Sequence, residues 1–215
     1  ALPICQMVAV TVRAGSKAEM ALPDGTFVHL NAATNLEYDV NNSKQRLVKL
    51  SGEAFFDVAK NPDCPFKVII NDLQIEVVGT SFNVKTYKKD IVETSLLSGR
   101  IRISGGSLPH EYTLSPGQKA TYSAMDRTLR ISKADAHVEA GWRDNYLIFE
   151  STPLIDVIAQ IERWYGVEIR LHHKQIAQDL LSGSFRNESI QNVIRSLSIQ
   201  YGFKYEIHKD IITIY

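Results

Sequence analysis

Three acidic residues close to glycine turns, Asp24, Glu53 and Asp57, are the first candidates for chemistry. Two suitably placed carboxylates could act as the acid and the base of glycoside hydrolysis. Asp24 stands directly before Gly25, however, where an aspartate side chain commonly accepts hydrogen bonds from the backbone of a tight turn. Glu53 also follows a glycine, at a junction between a turn and a strand. We therefore predict structural roles for these carboxylates and no catalytic residues.

The six histidines and two cysteines do not have the spacing of a metal site. His172 and His173 are adjacent, and neighbouring side chains on a strand point to opposite faces, which is poor geometry for holding one ion. Cys5 and Cys64 match no zinc or redox motif, and either a disulfide between them or two independent thiols fits their positions. The chain also has no G-x-S-x-G nucleophile motif and no phosphate-binding loop of the type G-x-x-x-x-G-K-[ST]. We expect neither a metal nor a cofactor.

Aromatic residues of the second half could stack on sugars; these are Trp142, Tyr146, Trp164 and Tyr165. The alternative function is therefore a carbohydrate-binding or adhesive β-module of the cell envelope. A platform of two or three exposed aromatic rings on one face of the first half would favour that function. Core packing is the simpler role, and we predict that Trp142 is largely buried between the two halves of the chain.

Composition excludes several classes of protein. The 215 residues include 24 basic and 24 acidic side chains, so the formal net charge is zero. Without a basic excess, the chain is not expected to bind nucleic acid. The longest apolar runs have four residues, whereas a membrane-spanning helix needs about 20. The 44% of hydrophobic residues is typical of an ordinary globular protein.

The first half is predicted to be all-β, because apolar residues alternate with polar ones along it. Examples of this alternation are Val8, Val10 and Val12, Val28 and Leu30, and Ile101 and Ile103. A glycine turn followed by an alternating strand recurs, with Gly25, Gly52 and Gly79 spaced 27 residues apart. Such recurrence is typical of a solenoid-like stack, although a sandwich or roll built from hairpins is also compatible.

The second half is predicted to be a small α+β domain with the element order β-α-β-β-α-β-β and two helices on a small sheet. One helix carries an apolar stripe from Leu154 to Tyr165 and stops at Gly166; Thr152 is its predicted N-cap. Asn187 is the predicted N-cap of the other helix. The predicted domains are residues 1–122 and 142–215, joined by a linker at 123–141.

Several segments, taken together in their order, resemble the periplasmic part of FecR-type anti-sigma regulators. In the first half these are LPDGTFVHLN at 22–31, LSGEAFFDV at 50–58, VGTSFNV at 78–84 and LSPGQ at 114–118. In the second half they are WYGV at 164–167 and SGSF at 182–185. The resemblance covers residues 8–122 and 142–215.

This resemblance implies a regulatory role without catalysis. FecR-type proteins look like single-pass inner-membrane proteins whose cytoplasmic region holds an extracytoplasmic-function (ECF) sigma factor. Their C-terminal domain is similar to the secretin/TonB short N-terminal (STN) fold and receives a signal from the signalling domain of a TonB-dependent outer-membrane transducer. The resemblance implies a periplasmic location for these 215 residues, with the sigma-binding region and the membrane anchor outside them.

The end of the second half supplies the predicted partner-binding residues. Ile211, Ile212, Thr213, Ile214 and Tyr215 form an uncharged, β-branched run without the lysines or prolines that commonly protect an edge strand. If this strand lies at an edge, it can pair with the transducer's signalling domain by strand addition. The other possibility is that the strand lies inside the sheet.

Overall fold

The structure, a computed structural model, describes residues 7–39, 46–172 and 174–215. The chain is mostly β-structure and divides into two compact units. The first comprises Ala1–Val12 and Lys17–Ala140, and the second comprises Arg13–Ser16 and Gly141–Tyr215. None of the helices among the described residues combines the length and the apolar character that crossing a bilayer requires.

The first unit is built from strands with a single short helix among its described residues. In chain order the strands are β1 (Met7–Val12), β2 (Ala18–Ala21), β3 (Phe27–Leu30), β4 (Thr34–Asp39), β5 (Arg46–Ser51), β6 (Glu53–Asp57), β7 (Phe66–Ile70), β8 (Leu73–Val77), β9 (Ser81–Lys85), β10 (Ile91–Ser98), β11 (Ile101–Gly105), β12 (Tyr112–Leu114), β13 (Gln118–Ser123) and β14 (Thr128–Lys133). Helix α1 (Ala136–Ala140) follows them.

These strands form two stacked seven-stranded sheets. The order in one sheet is β1-β4-β5-β7-β8-β11-β12, and the order in the other is β14-β13-β10-β9-β6-β3-β2. All neighbours are antiparallel except β5 and β7. The core lies between the sheets, where the Phe56 ring is 5.2 Å from the Phe82 ring and 5.8 Å from the Phe66 ring. The alternating burial predicted from the sequence produces this core, because every second side chain points inward.

Gly52 and Gly99 lie at corners where the chain passes from one sheet to the other. At each corner a threonine from an earlier segment, Thr34 or Thr80, bonds the backbone of the residue that follows the glycine. Its hydroxyl accepts a hydrogen bond from the N–H of that residue and donates one to its C=O. A Cβ on Gly52 would lie 2.5 Å from Thr34 Oγ1, and one on Gly99 would lie 2.7 Å from Thr80 Oγ1. Glycine is therefore required by close approach as well as by φ values of 113° and 88°.

The stretch 123–141, predicted as a linker, contains structure that belongs to the first unit. Strand β14 pairs with β13 along its whole length, from Gln118 opposite Lys133 to Ser123 opposite Thr128. Leu129 and Ile131 alternate with polar residues along β14, but only Leu129 is buried. Pairing with β13, and not burial, therefore holds most of this segment in place.

The second unit has the predicted order of elements. After a 3-10 turn at Gly141–Asp144 come β15 (Tyr146–Pro153), α2 (Leu154–Tyr165), β16 (Glu168–Leu171), a 3-10 turn at Lys174–Gln178, β17 (Leu180–Arg186), α3 (Ile190–Tyr201), β18 (Tyr205–His208) and β19 (Ile211–Ile214). The strands form two small sheets instead of one: β15 pairs with β17, and the other three have the order β16-β19-β18. Both helices bury an apolar face in the core of the unit.

The ends of the helices follow the predictions only in part. Helix α2 ends at Gly166, whose left-handed φ of 68° and bond to the Glu162 carbonyl confirm the predicted stop. Thr152 is not its N-cap, because this residue lies in β15 and its hydroxyl bonds Glu150. Asn187 is not the N-cap of α3 either; Ser189 accepts the Asn192 N–H at 3.2 Å instead.

Candidate partner-binding site

Asp24 has the structural role predicted from its position before Gly25. Its carboxylate accepts the Thr26 N–H at 3.0 Å and the Thr26 hydroxyl at 2.8 Å, which closes the turn between β2 and β3. Its second oxygen lies 3.2 Å from Nη1 of the buried Arg46. The same guanidinium donates to three carbonyl oxygens of the loop 59–64 at 2.6 to 3.1 Å. Arg46 thus holds this loop against the Asp24 turn.

Glu53 and Asp57 also have structural surroundings. The Glu53 carboxylate is buried and accepts the side-chain amides of Asn31 at 2.8 Å and Asn83 at 2.9 Å. Asp57 accepts the Ser81 hydroxyl across the β6–β9 pair at 2.8 Å. Each carboxylate is thus engaged by neighbouring strands, and Glu53 lies inside the protein and not in an open cleft.

The adjacent histidines and the two cysteines each have one member among the described residues. His172 stacks on Tyr215 with the ring centroids 5.8 Å apart, whereas His173 lies outside the described residues. No group of three or more His, Cys, Asp or Glu within the described ranges could hold a metal ion. Cys5 lies outside the described residues, so whether it pairs with Cys64 stays open.

The aromatic residues do not form a sugar platform in the described part of the first unit. Among the aromatic side chains (Phe, Tyr and Trp) described in the first unit, only Phe27 is exposed, with 39% of its surface accessible. Its ring meets His29 edge-on at 5.1 Å, and the neighbouring Phe55 is buried. Trp142 is 6% exposed, which confirms its predicted burial; its position between the two halves stays a prediction. The observation that would favour carbohydrate binding is therefore missing from these strands.

Of the two positions that the sequence leaves open for residues 211–215, the structure has the interior one. Strand β19 is the central strand of its sheet, with Ile211 opposite Glu168 of the parallel β16 and Ile214 opposite Tyr205 of the antiparallel β18. Ile212 and Ile214 are buried in the core, and Tyr215 continues the pairing through two backbone bonds to Lys204. An uncharged β-branched run suits a central strand as well as an edge, so composition alone could not decide between them. A partner cannot add a strand here without displacing β16 or β18.

The edges of the second unit are β16 and β18 in one sheet and both β15 and β17 in the two-stranded sheet. Strand β15 carries the exposed Glu150 and ends at Pro153. Strand β16 carries an exposed ion pair, in which Arg170 Nε lies 2.7 Å from Glu168 Oε1 and its hydrogen bond lowers the Glu168 pKa. Strand β18 carries Glu206 and His208. Strand β17 differs, because residues 180–185 are uncharged and most of them are exposed. This edge was not identified from the sequence, since the pattern of 181–185 predicts a strand but not which strands pair with it.

A second feature adjoins this edge. The outward face of α3 and the Phe185 side chain line a shallow groove of about 360 Å³. The Tyr201 hydroxyl, at the end of α3, donates to the Leu180 carbonyl at the start of β17 with a distance of 3.1 Å. Burial raises the pKa of Tyr201, with a further contribution from Asp179, so this hydroxyl stays protonated and able to donate. We call β17 and this groove the β17–α3 surface.

Comparison with known proteins places both units in one family. Residues 8–102 match the model of the FecR protein family, and residues 146–214 match the model of the FecR C-terminal domain. No curated protein matches the chain.

Solved structures give the same assignment over the whole chain. A crystal structure at 1.65 Å of a protein assigned as an anti-sigma factor, from Parabacteroides distasonis ATCC 8503, is 30% identical with a TM-score of 0.86. That match covers 97% of this chain and 98% of the other. A second structure with the same description, at 2.50 Å, is 30% identical with a TM-score of 0.87 over 98% and 99% of the two chains. Because both family models and these solved structures agree, the chain belongs to the FecR family of anti-sigma factors, a regulatory family and not a family of enzymes.

Proposed function

We propose that this chain is the periplasmic, signal-receiving part of a transmembrane anti-sigma factor. It receives its signal from the signalling domain of a TonB-dependent outer-membrane transducer and controls an ECF sigma factor through a cytoplasmic region outside these 215 residues. The observation that carries the proposal is the match of both units, in order, to the two FecR models and to two solved structures assigned as anti-sigma factors. A relay of this kind works by protein–protein contact and does not require a catalytic centre.

The surroundings of the polar residues support a role in protein contact. Asp24, Glu53 and Asp57 are all engaged in holding strands and turns together, so they are not available as catalytic carboxylates. The sheets of the second unit have strand edges that a partner can contact. We assign the partner contact to this unit, which matches the FecR C-terminal model.

A pull-down from periplasmic extract tests the proposal. The purified chain is immobilised, and captured proteins are identified by mass spectrometry, with an unrelated immobilised protein of zero net charge as the control. We expect enrichment of a TonB-dependent transducer on the chain and not on the control. Recovery of a soluble metabolic enzyme without any transducer would contradict the proposal.

A reporter assay tests the second half of the proposal. Cells that carry the full-length protein are compared with cells whose protein lacks residues 141–215, with transcription from a sigma-dependent promoter as the readout. We expect the shortened protein to lose the response to the external signal. An unchanged response would show that the second unit does not receive the signal.

A further inference from the structure

Strand β17 presents backbone groups that no other described strand uses. The Asn187 N–H bonds the Asn145 carbonyl at 3.3 Å, which makes these two residues a hydrogen-bonded pair of the β15–β17 ladder. Hydrogen-bonded and non-bonded pairs alternate along an antiparallel ladder. Phe185 and Gly183 therefore direct their N–H and C=O groups to β15, whereas Ser184 and Ser182 direct theirs away. The register shift lies within β15, between Phe149 and Thr152, and leaves the alternation along β17 intact.

Apart from Arg186 at its end, which lies over the Tyr146 ring, β17 has no charged residue to protect this edge. Ser182, Gly183 and Ser184 are exposed, and residues 180–185 include no lysine, proline or acidic residue. Natural edge strands are commonly protected by charge or proline, and β16 of the neighbouring sheet has Glu168 and Arg170. An exposed edge without such protection is suited to pairing with an extended segment of another chain.

The groove next to this edge has a defined pattern of charge. Glu188 is engaged by the Asn192 side-chain amide at 2.8 Å. Arg195 is exposed and forms no ion pair with any described residue. One helical turn further on, Ile199 is 76% exposed, and at the start of β17 Leu180 is 60% exposed. The groove therefore offers a cation next to an apolar surface.

The spacing of these groups suits a strand. Arg195 and Ile199 are four residues apart on α3, which is a rise of about 6 Å along the helix. Alternate residues of a strand are about 6.7 Å apart and point to the same face. The bond from Tyr201 to Leu180 and the groove shared by Glu188 and Phe185 indicate that α3 runs antiparallel to β17. Side chains of an added strand can thus meet Arg195 and Ile199 in turn.

We infer that the β17–α3 surface binds an extended segment of a partner protein that carries an acidic residue and, two positions away, a large apolar residue. The backbone of the segment pairs with Ser182 and Ser184, its carboxylate meets Arg195, and its apolar side chain covers Ile199. The inference rests on the proposed function, because it identifies the surface through which the second unit receives its partner.

A set of acetylated eight-residue peptides tests this surface directly. The members carry Asp-x-Leu, Lys-x-Leu or Asp-x-Ser at their centre, with threonine elsewhere, and binding is measured by fluorescence polarisation. We expect Asp-x-Leu to bind at least about tenfold more tightly than either of the others, which is the effect of one charge-assisted contact or one buried side chain. No preference among the three peptides would overturn the inference.

Four variants locate the site. Arg195→Glu should reverse the preference, so that Lys-x-Leu binds more tightly than Asp-x-Leu. Ser184→Pro removes an outward N–H and should weaken Asp-x-Leu at least about tenfold, whereas Ser184→Ala keeps the N–H and should bind as the wild type does. Lys204→Glu makes the same change of charge on an exposed residue that precedes β18 and should have no effect. Arg195→Glu leaves the backbone intact, so the test holds even if Ser184→Pro fails to fold.

Binding to the transducer's purified signalling domain separates this inference from the proposed function. If the domain binds the wild type, and Ser184→Pro and Arg195→Glu bind it equally well, the proposed function stands and this surface is wrong. If Asp-x-Leu binds but the domain does not, the surface is a peptide site and the proposed partner is wrong. A third outcome is that the wild type forms a dimer in sedimentation, that Ser184→Pro does not, and that no peptide binds. This result would show that a second copy of the chain occupies the edge, and it would overturn the inference.

Discussion

Arg46 illustrates how a buried charge supports the first unit. Its guanidinium is satisfied by the Asp24 carboxylate and by three carbonyl oxygens of the loop 59–64, and it lies 5.9 Å from the centre of the Phe66 ring. Removal of one partner from such an arrangement leaves buried polar groups without hydrogen bonds. Asp24, which the sequence presents as a possible catalytic acid, is thus one half of a structural ion pair.

Replacement of Arg46 by alanine should lower the free energy of unfolding by about 3 to 5 kcal/mol, the usual cost of breaking a buried pair from one side. The measurement is urea denaturation followed by circular dichroism. Arg170→Ala is the control, because its ion pair with Glu168 is exposed and its loss should cost less than about 1 kcal/mol. Equal effects of the two substitutions would contradict the structural role of Arg46.

Gly52 and Gly117 form a matched pair for testing the threonine corner. Both have positive φ, but a Cβ on Gly52 would lie 2.6 Å from the Thr34 Cα, whereas a Cβ on Gly117 would meet nothing within 4 Å. Gly117→Ala should cost about 1 to 2 kcal/mol from backbone conformation alone. Gly52→Ala should lower the free energy of unfolding by roughly 1 to 3 kcal/mol more than Gly117→Ala does, because its added Cβ would clash with backbone atoms. Thermal denaturation compares the two variants, and similar costs would mean that close approach at the corner is unimportant.

At the scale of elements, the central position of β19 changes what a proline there should do. Thr213 lies between two paired strands, so Thr213→Pro removes a donor from the interior of the sheet and should unfold the second unit. The loss should be visible in the amide exchange of residues 146–214, while the strands of the first unit keep their protection. Ser184→Pro, at an edge, should leave that protection intact. A folded second unit in Thr213→Pro would contradict the pairing of β19 with both neighbours.

The sequence was sufficient for the elements of the second unit but not for their pairing. Apolar stripes and Gly166 define the helices locally, so their presence and order could be predicted. The position of β19 depends on parallel pairing with β16, about 40 residues earlier, and no local pattern records such a contact. The β17–α3 surface was missed for the same reason, because the exposure of a strand depends on which strand pairs with it.

Strand β14 shows a second limit of local patterns. Its burial is confined to Leu129, and Ile131 is exposed, so the strand adds little to the core. The alternation of Leu129 and Ile131 with polar residues indicates a strand, but it does not show that this strand pairs with β13. The first compact unit extends to Ala140.

At the scale of the whole molecule, charge is balanced within the sheets as well as in total. On the first sheet Glu76 lies near both Lys67 and Arg102, and on the second Lys119 lies between Glu93 and Glu139. Burial lowers the Lys119 pKa, but the two carboxylates outweigh this and raise it, so the cation persists through the neutral range. Cations held in this way are less available to phosphate groups.

The whole chain should accordingly fail to bind nucleic acid. Fluorescence anisotropy with a 20-base-pair duplex at low salt should show no binding tighter than about 0.1 mM, the weak end of non-specific affinities. A basic DNA-binding protein measured in the same buffer is the positive control. Micromolar binding that weakens steeply with added salt would contradict this prediction and would point to a basic surface formed by the folded chain.

The threonine corners limit how proteins of this architecture can change length over evolution. Each corner joins a threonine from one segment to a glycine from a later one, at Thr34 with Gly52 and at Thr80 with Gly99. An insertion that supplied only one of the two residues would leave a hydroxyl without its backbone partners or a side chain against backbone. Length is therefore expected to change in steps of whole corner-containing segments, with the threonine and the glycine gained or lost together.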